Sequence, residues 1–382
     1  MTDTKEYNRL SVEKHLEYKG KLGVHSKVPL ETREDLSIYY TPGVAQPCRE
    51  IAQDPEKAYD YTRKGNTVAV VSDGSAVLGL GNIGGLAGLP VMEGKAILFK
   101  EFGGVDAIPL VLNTQDPDEI IRIVEAISPT FGGINLEDIS APNCFYIEEE
   151  LKKRLSIPVF HDDQHGTAIV VLAGLINALK LAQKDFATIK VVMSGAGAAG
   201  TAIAKLLYTY GTKNIVMTDS QGALYLGREK MNAHKNELAE YNINNEKGTL
   251  KDIIKNADVF IGVSQPNLLL AEDIKTMADK PIVFAMANPN PEVIPEEAEK
   301  GKVFIYATGR SDYPNQINNL LVFPGIFKGA LKYRKTAITT AHKIAAAEVL
   351  AACVEHVDIH NIIPSPLDKS IADKIAESIR DI

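Results

Sequence analysis

Two hydrophobic rhythms alternate along the chain. Short apolar, largely β-branched runs occur at 67–71, 108–112, 131–136, 157–160, 189–193, 214–218, 258–263, 281–286 and 303–307, and a further apolar run at 96–99 reads as a strand opened by Lys95. Between them lie longer stretches with helical punctuation: Asp116-Pro117 opens a helix over 118–127 and Ser128-Pro129 closes it. Strands alternating with helices predict parallel sheet covered by helices, the α/β class. The longest strongly apolar stretch, 168–179, falls short of the ~20 residues that span a bilayer and reads as a buried helix.

Before Thr67 the pattern is helix and loop, interrupted by Pro29, Pro42, Pro47 and Pro55. It predicts a helical segment that covers an active site or pairs with a second subunit. One alternating block ends near His161, and the apolar helix from Thr167 follows. This divides the chain into an N-terminal helical segment with an α/β domain, 1–160, and a Rossmann-type, doubly wound parallel-sheet domain with C-terminal helices, 161–382. A cleft between two such domains is where a small ligand binds.

The pattern G-x-G-x-x-G occurs twice, and its context separates the two copies. Gly195-Ala196-Gly197-Ala198-Ala199-Gly200 follows the run 189–193 and opens an unbroken helical stretch over 198–210, after which a second strand ends at Asp219. In such a βαβ unit the first glycine makes the tight turn, the second lets a pyrophosphate approach the backbone, and the third lets helix and strand pack closely. Asp219, nineteen positions after Gly200, suits the adenosine ribose hydroxyls. With Ser220-Gln221-Gly222 after it and no adjacent Arg or Lys, NAD is favoured over NADP. The other copy, Gly79, Gly81 and Gly84, is followed by Gly85, Gly88 and Pro90, which argues that no helix starts there and that it forms a substrate-side loop.

Charge narrows the partners. With 41 Lys and Arg against 49 Asp and Glu, the net charge is −8, which argues against a nucleic-acid face. An apolar fraction of 45% excludes disorder as the main state. Cys48, Cys144 and Cys353 lie far apart, so no disulfide framework or thiolate metal site is expected. The polar start of the chain lacks the apolar stretch of a secretory signal, which leads to the expectation of a cytoplasmic protein.

The acidic pairs Glu137-Asp138 and Asp162-Asp163 each follow a strand, at the sheet edge that carries ligands in parallel α/β folds. Carboxylates converging without thiols form a hard oxygen site suited to Mg²⁺ or Mn²⁺. His161 and His165 read as supporting hydrogen-bonding residues. Lys95, at the edge of an apolar run, is a desolvated lysine that loses its proton easily, as suits a base. Tyr40, in Tyr40-Thr41-Pro42-Gly43, is held by a rigid turn.

These motifs fall in a familiar order. Tyr40-Thr-Pro-Gly-Val-Ala, Ser72-Asp-Gly-Ser-Ala-Val-Leu-Gly-Leu-Gly-Asn-Ile-Gly, Glu93-Gly-Lys, Asn135-Leu-Glu-Asp, Phe160-His-Asp-Asp-Gln-His-Gly-Thr-Ala and Asn318-Asn319 before Phe323-Pro-Gly together resemble the malic enzymes in their short bacterial form, nearly end to end. The resemblance implies oxidative decarboxylation of (S)-malate to pyruvate and carbon dioxide, with NAD or NADP and a divalent metal. It also implies a homodimer. On its terms Lys95 is the general base, Tyr40 the general acid, and Glu137, Asp138 and Asp163 the metal ligands, with Asp162 tuning Lys95. Asn288 meets substrate and nicotinamide, and Asn319 meets substrate. Longer members carry an Arg for a malate carboxylate after the Asp-Gly of the second motif, where this chain has Asp73-Gly74-Ser75-Ala76. A metal-dependent oxaloacetate decarboxylase of the same superfamily is the alternative.

Overall fold

A computed structural model describes residues 4–77 and 79–382; Leu78 of the second motif and the first three residues of the polar start lie outside it. Strands β1 (Thr67–Ser72), β2 (Asp106–Val111), β3 (Gly133–Leu136) and β4 (Val159–His161) form a parallel sheet in the order β2-β1-β3-β4. Strands β5 (Lys190–Ser194), β6 (Asn214–Asp219), β7 (Gly222–Ala223), β8 (Val259–Gly262), β9 (Ile282–Ala285) and β10 (Ile305–Thr308) form a second, ordered β10-β9-β8-β5-β6-β7. It is parallel except for the short β7, which turns back on β6. From β5 the chain goes to β6 on one side and later to β8 on the other. That reversal leaves a crevice beyond Ser194 and Gly262, where dinucleotides bind in doubly wound sheets.

Period-two alternation assigns each sheet two cores. Val68 and Val70 face an apolar cluster that reaches Val191 and Met193 of the second sheet, whereas Ala69 and Val71 face the helices Pro117–Ile127 and Asn143–Arg154. The helix Asp162–Ala182 runs between the sheets. Among the described residues it is the one helix long and apolar enough to cross a membrane, and it is largely buried inside the protein. An all-round apolar helix is what such a central position requires.

Two expectations are corrected here. The run 96–99 is not a strand but the end of the helix Gly84–Leu98 and the wide turn Phe99–Gly103 that follows it. Gly85, Gly88, Met92, Lys95, Ala96 and Phe99 share its buried side, a spacing of three and four that makes a helical stripe and that four apolar residues alone could not reveal. The same helix begins at Gly84, inside the second glycine pattern. Gly85 is needed there for close approach, because a Cβ on it would lie 2.5 Å from the carbonyl oxygen of Leu112.

The helix Phe323–Lys332, which follows the second sheet, returns to the first sheet. Phe323 and Phe327 pack on Phe99 with centroids 4.7 and 5.4 Å apart, and Phe327 meets Phe160 edge-on at 5.8 Å. By contrast, the helices Arg33–Tyr39 and Ala45–Gln53 have no buried residue, and Leu36, Ile38, Tyr39 and Val44 stand exposed on them or beside them. A capping box starts the first of these: the Thr32 hydroxyl accepts from the Asp35 amide at 3.0 Å and the Asp35 carboxylate from the Thr32 amide at 2.9 Å.

Phe327 is fully buried in the aromatic cluster that ties the helix Phe323–Lys332 to the first sheet. Replacing Phe327 with Ala should lower stability by ~3–5 kcal/mol in urea unfolding, whereas a loss under ~1 kcal/mol would mean that this cluster does not pin the helix.

Candidate active site

At the C-terminal edge of the first sheet, β3 delivers Glu137 and Asp138, and β4 delivers Asp162 and Asp163 as the first turn of the helix Asp162–Ala182. Both pairs therefore sit past strand ends, although the second opens the helix five residues earlier than the apolar pattern indicated. Asp138 holds a left-handed φ of +53°, a conformation that Asp tolerates better than most residues. Its amide donates to Asp163 Oδ2 at 2.8 Å and its carbonyl accepts from the Ala76 amide at 2.9 Å. One carboxylate oxygen each of Glu137, Asp138 and Asp163 lies within 4.8 Å of the others. Asp138 Oδ2 is buried with no hydrogen-bond partner among the described residues, so this cluster of hard oxygens fits a divalent cation.

Lys95 comes from the last turn of the helix Gly84–Leu98, not from a strand. Its ammonium lies 2.8 Å from Glu137 Oε1, donates to Asp162 Oδ2 and sits 4.1 Å from the centroid of the Phe323 ring. Burial alone would lower its pKa, but Asp162 and Glu137 outweigh burial and hold it above the ordinary lysine value. The expectation of an easily lost proton does not fit this arrangement, in which Asp162 and Glu137 favour the charged amine. A cation on Glu137, Asp138 and Asp163 would compete with it for Glu137. Burial pushes Glu137 well above the ordinary carboxyl range despite Lys95, with Asp163, Asp162 and Asp138 adding to the rise.

Around this cluster stand residues that local patterns did not reveal. Asn135 Nδ2 donates to Glu137 Oε2 at 2.8 Å, and the Ser75 hydroxyl donates to Asp73 Oδ1 and accepts from the Ser140 amide. Glu148 accepts from the His161 amide at 3.1 Å and bonds the His165 ring at 2.9 Å, and His165 in turn bonds the Lys343 amine at 2.9 Å. His165 is therefore a supporting residue, as its isolation in sequence suggested, and it braces the first turn of the carboxylate-bearing helix.

The glycine cradle lies beyond β5. Gly195 has φ +112°, and a Cβ there would come within 2.6 Å of the Val263 carbonyl oxygen; on Gly200 it would collide with the Gly195 carbonyl. Gly197, the N-cap of the helix Ala198–Tyr210, has nothing within 4 Å of its would-be Cβ. Ala196 and Ala198 flank it. Tight packing at the outer glycines with open space at the middle one fits a pyrophosphate against the helix N-terminus. Nearby, the fully buried Glu292 accepts from the Ser264 amide at 2.8 Å and the Ala287 amide at 3.0 Å, pinning the loops after β8 and β9. Nothing in its local sequence marks Glu292 for that role. Asn288 follows β9, and its backbone oxygen lies 3.6 Å from a would-be Cβ on Gly79, which brings the glycine loop of the first sheet to the rim of the second.

Comparison with known proteins decides the family. Residues 19–152 match the model of the malic enzyme N-terminal domain, and residues 164–380 that of the malic enzyme NAD-binding domain. The chain belongs to the malic enzyme family. It is 58% identical to the bifunctional malic/malolactic enzyme of Bacillus subtilis, over 96% of this chain and 90% of that one. It is 48% identical to the NADP-dependent malic enzyme of Escherichia coli, over 94% of this chain and 50% of that protein. The crystal structure of the NAD-dependent malic enzyme of Thermotoga maritima superposes with a TM-score of 0.95 at 49% identity, covering 97% of this chain and 99% of that one.

Within this malic enzyme fold the expected site residues are not all assembled. Lys95, Glu137, Asp138, Asp162 and Asp163 converge, and Asn319 joins them by donating to Asp162 Oδ2 at 2.5 Å. Tyr40 does not: it caps the exposed helix Arg33–Tyr39, is 69% exposed, and its hydroxyl makes no hydrogen bond among the described residues. Asp219 ends β6 as expected but is not bare, because Arg228 and Lys235 both bind its carboxylate. This removes the basis on which NAD was favoured. The hairpin turn at Gly222 carries the chain back to bring Arg228, nine positions away in sequence, beside it.

Asp138 is pushed up to about 7 by burial and by Asp163. A carboxyl whose folded pKa is raised above its unfolded value of about 3.9 stabilises the fold below that value and loses the contribution as pH rises through the folded pKa. The metal-free protein should therefore lose thermal stability between about pH 4 and about pH 8, and Mn²⁺ should restore more of it at the upper end. Equal stabilisation by Mn²⁺ across that range would refute a cation site made of these three carboxylates.

Proposed function

We propose that the chain catalyses the oxidative decarboxylation of (S)-malate to pyruvate and carbon dioxide, reducing NAD or NADP, with Mg²⁺ or Mn²⁺ held by Glu137, Asp138 and Asp163. The observation that carries this reading is the buried Lys95 joined to Glu137 and Asp162 beside that carboxylate cluster. The nicotinamide supplies the hydride acceptor, and the cation supplies Lewis acidity for the loss of the C4 carboxyl. Lys95, neutral once a cation has drawn Glu137 away from it, takes the C2 hydroxyl proton as the hydride leaves. Asp162, bonded to Lys95 and to Asn319, orients that amine and sets its charge. Asn288 and Asn319 hold the substrate, replacing the missing Arg in part.

Tyr40 returns a proton to C3 after decarboxylation. Its exposure, beside the exposed Leu36, Ile38, Tyr39 and Val44, supports a homodimer in which a second copy covers this face and completes the site. A cytoplasmic location goes with this reading, as does division of the chain near His161.

The test is reduction of NAD and of NADP by (S)-malate with Mn²⁺, with oxaloacetate decarboxylation followed in parallel. Lys95→Met and Tyr40→Phe should each lower kcat by on the order of 10²–10⁴. If oxaloacetate loses carbon dioxide while neither cofactor is reduced, the protein is a decarboxylase instead. Light scattering of the active protein should give twice the chain mass, and a monomer would contradict the dimer.

A further inference from the structure

A cavity of about 220 Å³ lies where the helices Asn143–Arg154, Asp162–Ala182, Ala198–Tyr210 and Thr340–Ala352 meet. Neither the carboxylates of the cation cluster nor the glycines of the cradle line it. On its wall Lys343, only 9% exposed, is a buried cation. The Lys343 amine donates to His165 Nδ1 at 2.9 Å, its one hydrogen-bond partner among the described residues. An ammonium can only donate, so the ring proton sits on Nε2, which donates to Glu148 at 2.9 Å, and the imidazole is neutral.

Lys343 is thus left without a counter-ion. Glu148 is already engaged by His165, by the His161 amide at 3.1 Å and by Lys152 Nζ at 2.7 Å. Two of the three N–H donors on the Lys343 amine have no acceptor among the described residues. An unpaired cation away from water is costly, and burial, with Lys152 adding, draws this amine down to about 7.

The rest of the wall is rich in donors. Gln164 and Thr201 line the cavity, and Gln164 Nε2 and Thr201 Oγ1 are buried with no hydrogen-bond partner among the described residues. Lys205 adds a further positive charge, shared with Glu237 at 2.8 Å, while the acid Glu149 is exposed. An apolar occupant would leave these donors unmet, and a cation would be repelled. The volume is below the ~300–1,000 Å³ of sites for drug-sized ligands, so the occupant is small.

We propose that this cavity is a binding site for a small oxyanion, a phosphate or carboxylate group that pairs with Lys343 and takes the unmet donors of Gln164 and Thr201. The anion supplies the charge that Lys343 lacks, and it does so directly beside the turn that carries Asp163, since Gln164 is the next residue. Its oxygens accept charge-assisted hydrogen bonds from the amine, the strongest kind available to such a group.

Inorganic phosphate, glycerol 3-phosphate and acetate, titrated by calorimetry into the full chain at constant ionic strength, read the site without turnover. At least one should bind saturably, one per chain. Lys343→Met should weaken that ligand by about thirtyfold or more, and Thr201→Val by about threefold. Phosphate binding above acetate assigns a phosphate group, the reverse assigns a carboxylate, and glycerol 3-phosphate above both assigns the ester of a larger metabolite. The proposal is overturned if none of the three saturates, or if binding is unchanged in Lys343→Met, as it would be for an anion held at the glycine cradle. If Lys343→Met does not fold, Thr201→Val carries the test, and unchanged binding there overturns the proposal equally.

Discussion

One buried cation organises the first half of this molecule. The Lys95 ammonium stands between Glu137 and Asp162 under the ring of Phe323, and these four residues come from a helix, a strand end, the start of a second helix and the start of a third. Removing any one partner would strand charge away from water, a loss of several kcal/mol for an uncompensated buried ion. The helix Gly84–Leu98 must therefore keep its register against the sheet. Gly85, which lets it lie against Leu112, serves that register, while Asn319 shares Asp162 Oδ2 with Lys95 and Asn135 occupies the Glu137 oxygen that Lys95 leaves.

The same cluster is poorly balanced by itself. Four carboxylates, Glu137, Asp138, Asp162 and Asp163, share one lysine, and burial together with mutual repulsion pushes Glu137, Asp138 and Asp162 upward in pKa. A protein seldom keeps such repulsion in its interior without a ligand that relieves it. In the chemistry proposed for malate, a cation held by Glu137, Asp138 and Asp163 would supply that relief and would also weaken the hold of Glu137 on the Lys95 proton.

The two sheets differ in how legible they were. Runs such as 189–193 and 214–218 are β-branched, flanked by breakers and followed by the glycine cradle, so their strands and the βαβ unit follow from local pattern alone. The run 96–99 misled because a four-residue apolar stretch fits either period; only Met92, Ala96 and Phe99 read together disclose the helix. Motif resemblance reached Lys95, the carboxylates and Asn319, yet it could not tell that Tyr40 lies on an exposed face of the single chain. Asp219 illustrates the opposite limit. Its residue type was plain, but its charge depends on Arg228, which a hairpin returns to it, and no linear spacing expresses that fold-back. Glu292 is a single acid in a proline-rich loop whose importance comes only from the two amides that converge on it.

The return of the helix Phe323–Lys332 to the first sheet has a consequence for biosynthesis. Asn319 and Phe323 touch Asp162 and Lys95 from the far end of the chain, whereas every carboxylate of the cluster has been made by residue 163. A nascent chain can form the first sheet, but its buried lysine then faces solvent on the side that Phe323 will close. The reactive centre is thus the last part of the first layer to be sealed, and an unfinished polypeptide holds the acids without the enclosure that gives them their chemistry.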